Sequence, residues 1–516
     1  MCLNRHMKTF QRVKLINGKE YAYDITPYYD PKTKRIRQKS KYVGKVHKGE
    51  VIRPMKPLPK LVYSYGDILP LTHIFKELGI SGILEELCKE KNANTIKTLV
   101  FNRLIRPLAL QNLKSWVEGT TLSKEAPCAC SSQTLSHFLC KLGTSSISEH
   151  FINRFIKQHK GPSSIAMDIT SLSSYSQLNS LLEYGYNRDT DGLPQFNLCL
   201  ATDRQQGIPL LYDIYSGSIK DVSTIHNSIK RMNANGVDVS ALVLDRGFFS
   251  TSNLDEMIQN EIPFVIGVPL TLKEAKLTIS SFHKEMENPN LARKYEKQLL
   301  FVKQLTMKIG EHDLKGFLFY DLKREQEEKN TFYLRLKETK DKLEAIVLRT
   351  WMDPQSVFEQ TAADLCQYLG YSVENDHYKV EMKENAVSHR VNRMGKMILL
   401  CNGDFAWEEC LELYRQKDIV EKNFRVLKTS ILQSPLNVQK QECVRGWIFI
   451  LYLALIVRFR LQHLMRTSGL SEQYSVESLL LELEKIKKVE LMNGEVITTE
   501  ITKTQRIILE RLGLCA

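Results

Sequence analysis

Apolar and polar positions change rhythm several times along the chain, and each change marks a different kind of structure. Residues 8 to 48 alternate in short segments around the turn Tyr28-Tyr29-Asp30-Pro31-Lys32, which predicts a small β element. Pro54, Pro57 and Pro59 then read as a linker. From about 68 to 160 the apolar residues recur three and four apart, as in LPLTHIFKELGISGILEELCKE, the spacing of helices. At 163 the rhythm becomes that of strands. SSIAMDITSL, QFNLCLATD and GIPLLYDIYSG are short apolar runs, the last two joined by the turn Asp203-Arg204-Gln205-Gln206-Gly207. DVSTIHNSIKRMNANG follows as a helix, ALVLDRG as a buried strand, STSNLDEMIQNE as a helix with a Ser/Thr cap, and PFVIGV as another strand. A hairpin meander followed by strand-helix-strand crossovers predicts a mixed sheet flanked by helices.

Residues 271 to 395 interrupt that order with charged, weakly amphipathic stretches such as KREQEEKNTFYLRLKETKDKLEAIVLR, and read as an inserted subdomain. The core pattern resumes with the strand KMILLCN and one helix from about Phe405 to Leu427. The apolar run from Trp447 to Val457 falls well short of the roughly 20 residues that span a bilayer, so it reads as a buried helix. A helix near 475 to 487, a hairpin at Asn493-Gly494 and a last helix complete the chain. The expected division is a basic β element (1–60), a helical DNA-binding region (61–160), a first core segment (161–270), the insertion (271–395), a second core segment (396–465) and a C-terminal helical tail (466–516).

Charge adds a partner to this picture. The net charge of the 516-residue chain is +13, and its first 60 residues hold 16 Lys or Arg against 4 Asp or Glu, so nearly all the excess sits at one end. Interleaved with these cations are Tyr21, Tyr23, Tyr28, Tyr29 and Tyr42, a combination suited to a polyanion. A merely solvated basic arm accounts for the charge equally well. The eleven cysteines show no zinc-finger spacing, and an odd count without a secretory leader points to reduced thiols and a cytoplasmic protein.

Two aspartates, Asp168 and Asp245, each end a short apolar strand, at the rim of the expected sheet. A lone aspartate there is usually a turn former or a helix cap, but two on neighbouring strands form a pair of oxygen ligands of the kind magnesium takes. On the helix LYRQKDIVEKNFRVLKTS, Tyr414, Lys417, Glu421 and Lys428 stand at offsets that align them along one stripe. By itself such a stripe is most simply a wet helix face. Arg246 and Gly247 shape the turn that presents Asp245, while Asp203 sits in a turn and Asp221 caps a helix, so structural roles suffice for them and for Asp213 in the same core.

Joined in order, strand-Asp, strand-Asp-Arg-Gly and a helix with Tyr-x2-Lys-x3-Glu-x6-Lys, these pieces resemble bacterial insertion-sequence transposases with a DDE triad and a Tyr-Arg-Glu-Lys signature. The resemblance runs from about 160 to 460, and VLDRGFFS and YRQKDIVEKNFRVLK carry most of it. Lys417 departs from the family's arginine, with Arg415 nearby, and lysine meets phosphate as a point charge rather than a planar fork.

The resemblance implies an α/β fold: a ribonuclease-H-like mixed sheet flanked by helices, interrupted by an inserted and typically β-rich subdomain. It implies that Asp168, Asp245 and Glu421 are the catalytic carboxylates and hold two Mg2+ ions, with Mn2+ able to substitute and Asp168 bridging both. Tyr414, Lys417, Lys428 and Arg246 then contact DNA. The implied partners are double-stranded DNA, as terminal inverted repeats and target, and a second copy of the chain in a homodimer on DNA; no membrane is involved. The implied reaction is an in-line attack by water or a 3′-hydroxyl on a DNA phosphate. Two other readings keep the fold: a nuclease that cuts without strand transfer, and a DNA-binding relative without catalysis. The basic arm and helical region favour end binding over the first, and the intact Asp, Asp, Glu set counts against the second.

Overall fold

The computed structural model describes residues 8–30, 33, 35–52, 58–158, 163–176, 179–184, 192–204, 207–218, 225–237, 239–282, 285–415, 417–432, 436 and 438–514. The chain divides into two compact units, Met1–Tyr63 with Ile486–Glu500, and Ser64–Lys485 with Ile501–Ala516. The linker prolines Pro54 and Pro57 and the capping residue Asp221 lie outside the described residues, whereas Pro59 opens a strand.

In the smaller unit, strands Phe10–Ile16, Lys19–Asp30, Arg35–His47 and Glu50–Ile52 pair consecutively into an antiparallel sheet. Its first strand is exposed along its whole length, and only Ala22 and Ile25 of the second are fully buried. Tyr23 and Tyr42 pack edge to face, and the Lys14 ammonium sits over the Tyr23 ring. The expected hairpin at Asn493-Gly494 joins Lys487–Leu491 to Val496–Thr498 and pairs with Pro59–Ser64, so this part of the tail belongs with the N-terminal strands.

The larger unit is organised by a sheet whose strands are β1 (Ser163–Ser173), β2 (Gln195–Asp203), β3 (Pro209–Ser216), β4 (Val239–Leu244), β5 (Phe264–Gly267), β6 (Ala292–Tyr295), β7 (Gln298–Ile309), β8 (His312–Tyr320) and β9 (Lys396–Cys401). Their spatial order is β6-β7-β8-β9-β5-β4-β1-β2-β3. Within it, β3-β2-β1-β4-β5 is a ribonuclease-H-like arrangement: an antiparallel meander with β4 and β5 added parallel to β1. Every residue of β2 is buried, as expected of a strand covered on both faces. Helices α2 (Ile225–Ala234) and α3 (Thr251–Gln259) make the two crossovers, after α1 (Ser132–Thr144) in the helical region. The Ser250 side chain caps α3 through the Asn253 N–H, as the sequence suggested.

Three expectations change. The insertion is not wholly separate from the core, because β6, β7 and β8 extend the central sheet beyond β9. Its remainder, α4 (Leu322–Glu344) with the hairpin Leu369–Glu374/His377–Met382, closes over a small core that includes Phe332, Leu336, Leu343, Leu369 and Val380. The helix expected from Phe405 to Leu427 is two, α5 (Trp407–Arg415) and α6 (Asp418–Val426), followed by a wide turn from Leu427 to Leu432. Periodicity did not reveal the break because apolar residues keep helical spacing on both sides of it.

The third change concerns the cysteines. Cys140 on α1 and Cys443 on α7 (Gln441–Thr467) form a disulfide across 303 residues, contrary to the expectation of reduced thiols throughout. Gly143 and Gly446 bring these two helices together: a methyl group on Gly143 would collide with the Glu442 carbonyl, and one on Gly446 with the Leu139 carbonyl. The apolar run Trp447–Val457 forms the buried middle of α7, with the Tyr452 hydroxyl donating to the Leu210 carbonyl at 2.6 Å. Of the 18-residue window apolar enough to cross a membrane, 78% is buried inside the fold.

Candidate active site

The sheet register brings the two aspartates to one level. β1 pairs with β2 along its length, but its parallel pairing with β4 ends at Met167 opposite Leu244. Asp168 and Asp245 are the next residues on the two strands. Asp168 therefore does not end its strand, as expected from the sequence; it lies inside β1, where only the contact with β4 stops. Asp245 does follow β4 directly and opens a short turn, Arg246–Phe248. Both carboxylates accept from the next backbone N–H at 2.8 Å, Ile169 for Asp168 and Arg246 for Asp245.

Asp245 is the hub of the polar contacts. Its Oδ1 accepts from the Tyr414 hydroxyl at 2.8 Å and from Lys417 Nζ at 3.1 Å, and the same ammonium lies 3.4 Å from Glu421 Oε1. Tyr414 is the last-turn residue of α5 and Glu421 lies on α6, so the break between the helices falls within the expected stripe. Lys417 stands between them and also faces the Tyr414 ring. Tyr414 can lie across the end of β5 because residue 267 is glycine: a β-carbon there would stand 2.5 Å from the tyrosine hydroxyl.

The electrostatics follow from these contacts. Burial alone raises the Asp245 pKa, but Lys417, the Tyr414 hydroxyl and the Arg246 N–H outweigh it and hold the carboxyl below its ordinary 3.8. Burial, reinforced by the adjacent Asp245 charge, pushes the Tyr414 hydroxyl well up, so it stays a donor.

Asp245, Arg246, Tyr414, Lys417 and Glu421 line one cleft of about 410 Å³. Asp168 and Lys428 are not in its lining; Lys428 lies in the turn after α6. Among the described residues no group of three or more His, Cys, Asp or Glu side chains is gathered closely enough to hold a metal ion. The ammonium of Lys417 stands between Asp245 and Glu421 and balances both charges. The donors themselves, carboxylate oxygens with a tyrosine hydroxyl behind one of them, suit a hard divalent cation.

Three further residues that the sequence did not single out line the same cleft, Asp321 and Arg324 from the insertion and Lys396 from the start of β9. Asp321 caps α4 through the Arg324 N–H, and Lys396 is buried beneath the Tyr320 ring with its pKa lowered by that burial. Only Gly267 left a readable sign, since an isolated glycine in a strand often marks a close approach. Asp213, by contrast, is held by Arg231 and Ser228, as its structural assignment requires.

A search among curated proteins finds no match. A cryo-EM structure of a piggyBac transposase synaptic complex with hairpin DNA is similar over 83% of this chain and 82% of its own, at 10% identity and a TM-score of 0.40, a likeness too remote to carry an assignment. Residues 159–457 match the family described as Transposase DDE domain. That match covers more than half of the chain and takes in β1, β4, β5, the insertion, α5 and α6. The chain therefore belongs to the transposase DDE domain family.

Proposed function

We propose that this protein binds the ends of a mobile DNA element and catalyses their cleavage and strand transfer, with Asp168, Asp245 and Glu421 as the catalytic carboxylates. The observation that carries this reading is the register of β1 and β4, in which two aspartates follow the last pair of parallel strands at one level. Glu421 is tied to Asp245 through Lys417. Magnesium is the proposed cation, with manganese able to replace it, and when bound it supplies charge neutralisation and activates the attacking oxygen. The chain's own groups do the rest. Tyr414 orients Asp245 by donating to Oδ1, Lys417 releases the carboxylates and turns to DNA phosphate, and Arg246 and Lys428 hold the backbone of the reacting strand. The basic, tyrosine-bearing sheet of the smaller unit supports duplex binding, and pairing two element ends and a target calls for a homodimer on DNA. The site of action is the cytoplasm.

The test is cleavage of a plasmid carrying the element's ends in Mg2+. Asp168→Asn, Asp245→Asn and Glu421→Gln should each abolish strand breakage and leave DNA retention on a gel intact. Cleavage by any of the three at the parental rate would remove that residue from the triad.

A further inference from the structure

A second concave site lies at the opposite edge of the central sheet. Asp168 and Asp245 stand where β1 and β4 stop pairing at their carboxyl ends; Ser164 and Ser240, near the amino ends of the same strands, open into a separate cavity of about 880 Å³. Arg204, Phe405, Lys422, Asn423, Arg425 and Arg466 are among the residues that line it. Four of these six are permanent cations. Glu409 and Glu412 also line it and leave the cations in excess.

Two of the lining residues are sealed into the wall. Arg204 and Asn423 are both more than nine-tenths buried. The Asn423 amide N–H donates to Thr202 Oγ1 at 3.2 Å, while its Oδ1 has no hydrogen-bond partner among the described residues. That oxygen is sealed from solvent and offers no acceptor to a ligand in the cavity, so the contacts available there are the cations and the Phe405 ring. Phosphate alone engages the cations and leaves the ring unused. A nucleotide uses both, its phosphate on the cations and its flat base against the Phe405 ring. The volume lies in the range of small-ligand pockets, which fits one or two nucleotides and not the surface of a double helix.

We propose that this cavity is a nucleotide-binding site, distinct from the carboxylate cleft, that holds a phosphate on Lys422, Arg425 and Arg466 and a base against Phe405. The shared chemistry is a nucleoside phosphate, whether free or part of a single DNA strand. α6 connects this site to the first, because Glu421 and Lys422 are consecutive residues.

The experiment uses the full chain with three probes: 2′-deoxyadenosine 5′-monophosphate, a fluorescein-labelled six-nucleotide single strand, and inorganic phosphate. Titration calorimetry and fluorescence anisotropy report binding, and thermal melting reports folding. Lys422→Gln/Arg425→Gln, at two exposed positions, should melt like the parent and bind the nucleotide about tenfold or more weakly. Phe405→Ala should weaken the nucleotide by about tenfold and leave phosphate binding unchanged. A mononucleotide that binds as tightly as the strand identifies a free nucleotide as the source; a strand that binds far more tightly, and loses that advantage in the double variant, identifies single-stranded DNA. If neither probe binds, if the double variant binds both like the parent, or if phosphate competes as well as the nucleotide and Phe405→Ala has no effect, the proposal is overturned. The readout is binding, not strand breakage, so it stands or falls independently of the triad.

Discussion

The two edges of the central sheet use their basic groups in opposite ways. At the carboxyl edge Lys417 is engaged, 3.1 Å from Asp245 and 3.4 Å from Glu421, and a tyrosine hydroxyl completes the contacts on Asp245. At the amino edge Lys422 and Arg425 have no ion-pair partner among the described residues, although they belong to the same nine-residue helix as Glu421. One short helix therefore contributes to two linings of opposite character. At the carboxyl edge the lysine balances the carboxylates, the arrangement that the proposed cation would replace. At the amino edge the cations outnumber the carboxylates, the arrangement that the proposed nucleotide phosphate would meet.

The comparison breaks most completely if the carboxyl edge is not catalytic. Asp245→Asn should reduce plasmid cleavage by more than about a hundredfold, since losing only a supporting partner of a metal ligand costs about 10- to 100-fold. Tyr414→Phe should fall in that lower range, measured as the cleavage rate under saturating Mg2+, and should melt close to the parent. Gly267→Ala puts a β-carbon 2.5 Å from the Tyr414 hydroxyl and should cost about 1–3 kcal/mol in denaturant unfolding while also slowing cleavage.

A smaller effect tests the role of Lys417. The Asp245 carboxyl is held below 3.8, so its ionised form stabilises the fold above that pH, and the contribution is lost as pH falls through the lower folded value. Lys417→Gln should raise the Asp245 pKa and move the acid limb of the melting curve upward, in a series of melts from about pH 2 to 5. The same variant should gain more stability than the parent from added Mg2+, because the ammonium no longer competes for the carboxylates. The smallest effect belongs to the amino edge: Lys422→Gln should change stability by less than about 0.5 kcal/mol, measured by denaturant unfolding.

Much of the core was legible in the chain because buried strands and their crossovers leave local signals. The apolar runs at 163, 195, 209, 239 and 264 all became strands, and the hairpin-then-crossover order fixed their arrangement. The aspartates were legible for the same reason, standing beside apolar runs. What escaped was non-local. The end of the β1–β4 pairing at Met167 is a property of two strands, not of either alone. The addition of β6–β8 to the sheet depends on pairing with β9, about eighty residues or more further along the chain. The α5–α6 break carries no proline or glycine, and the Cys140–Cys443 bond follows from a glycine-to-glycine helix crossing between residues 303 apart. The cleft residues Asp321 and Arg324 had no motif around them, because the insertion reaches the site through tertiary folding alone, and Lys396 at the start of β9 joins them by the same means.

The most direct test of the catalytic assignment is Mn2+ uptake by the full chain in solution, followed by electron paramagnetic resonance of the free ion. The parent should bind the ion, and Asp168→Asn, Asp245→Asn and Glu421→Gln should each weaken binding by about tenfold or more, while Asp404→Asn, at a fully exposed carboxylate, binds like the parent. Parental affinity in the Asp168 or Glu421 variant would contradict a three-carboxylate site.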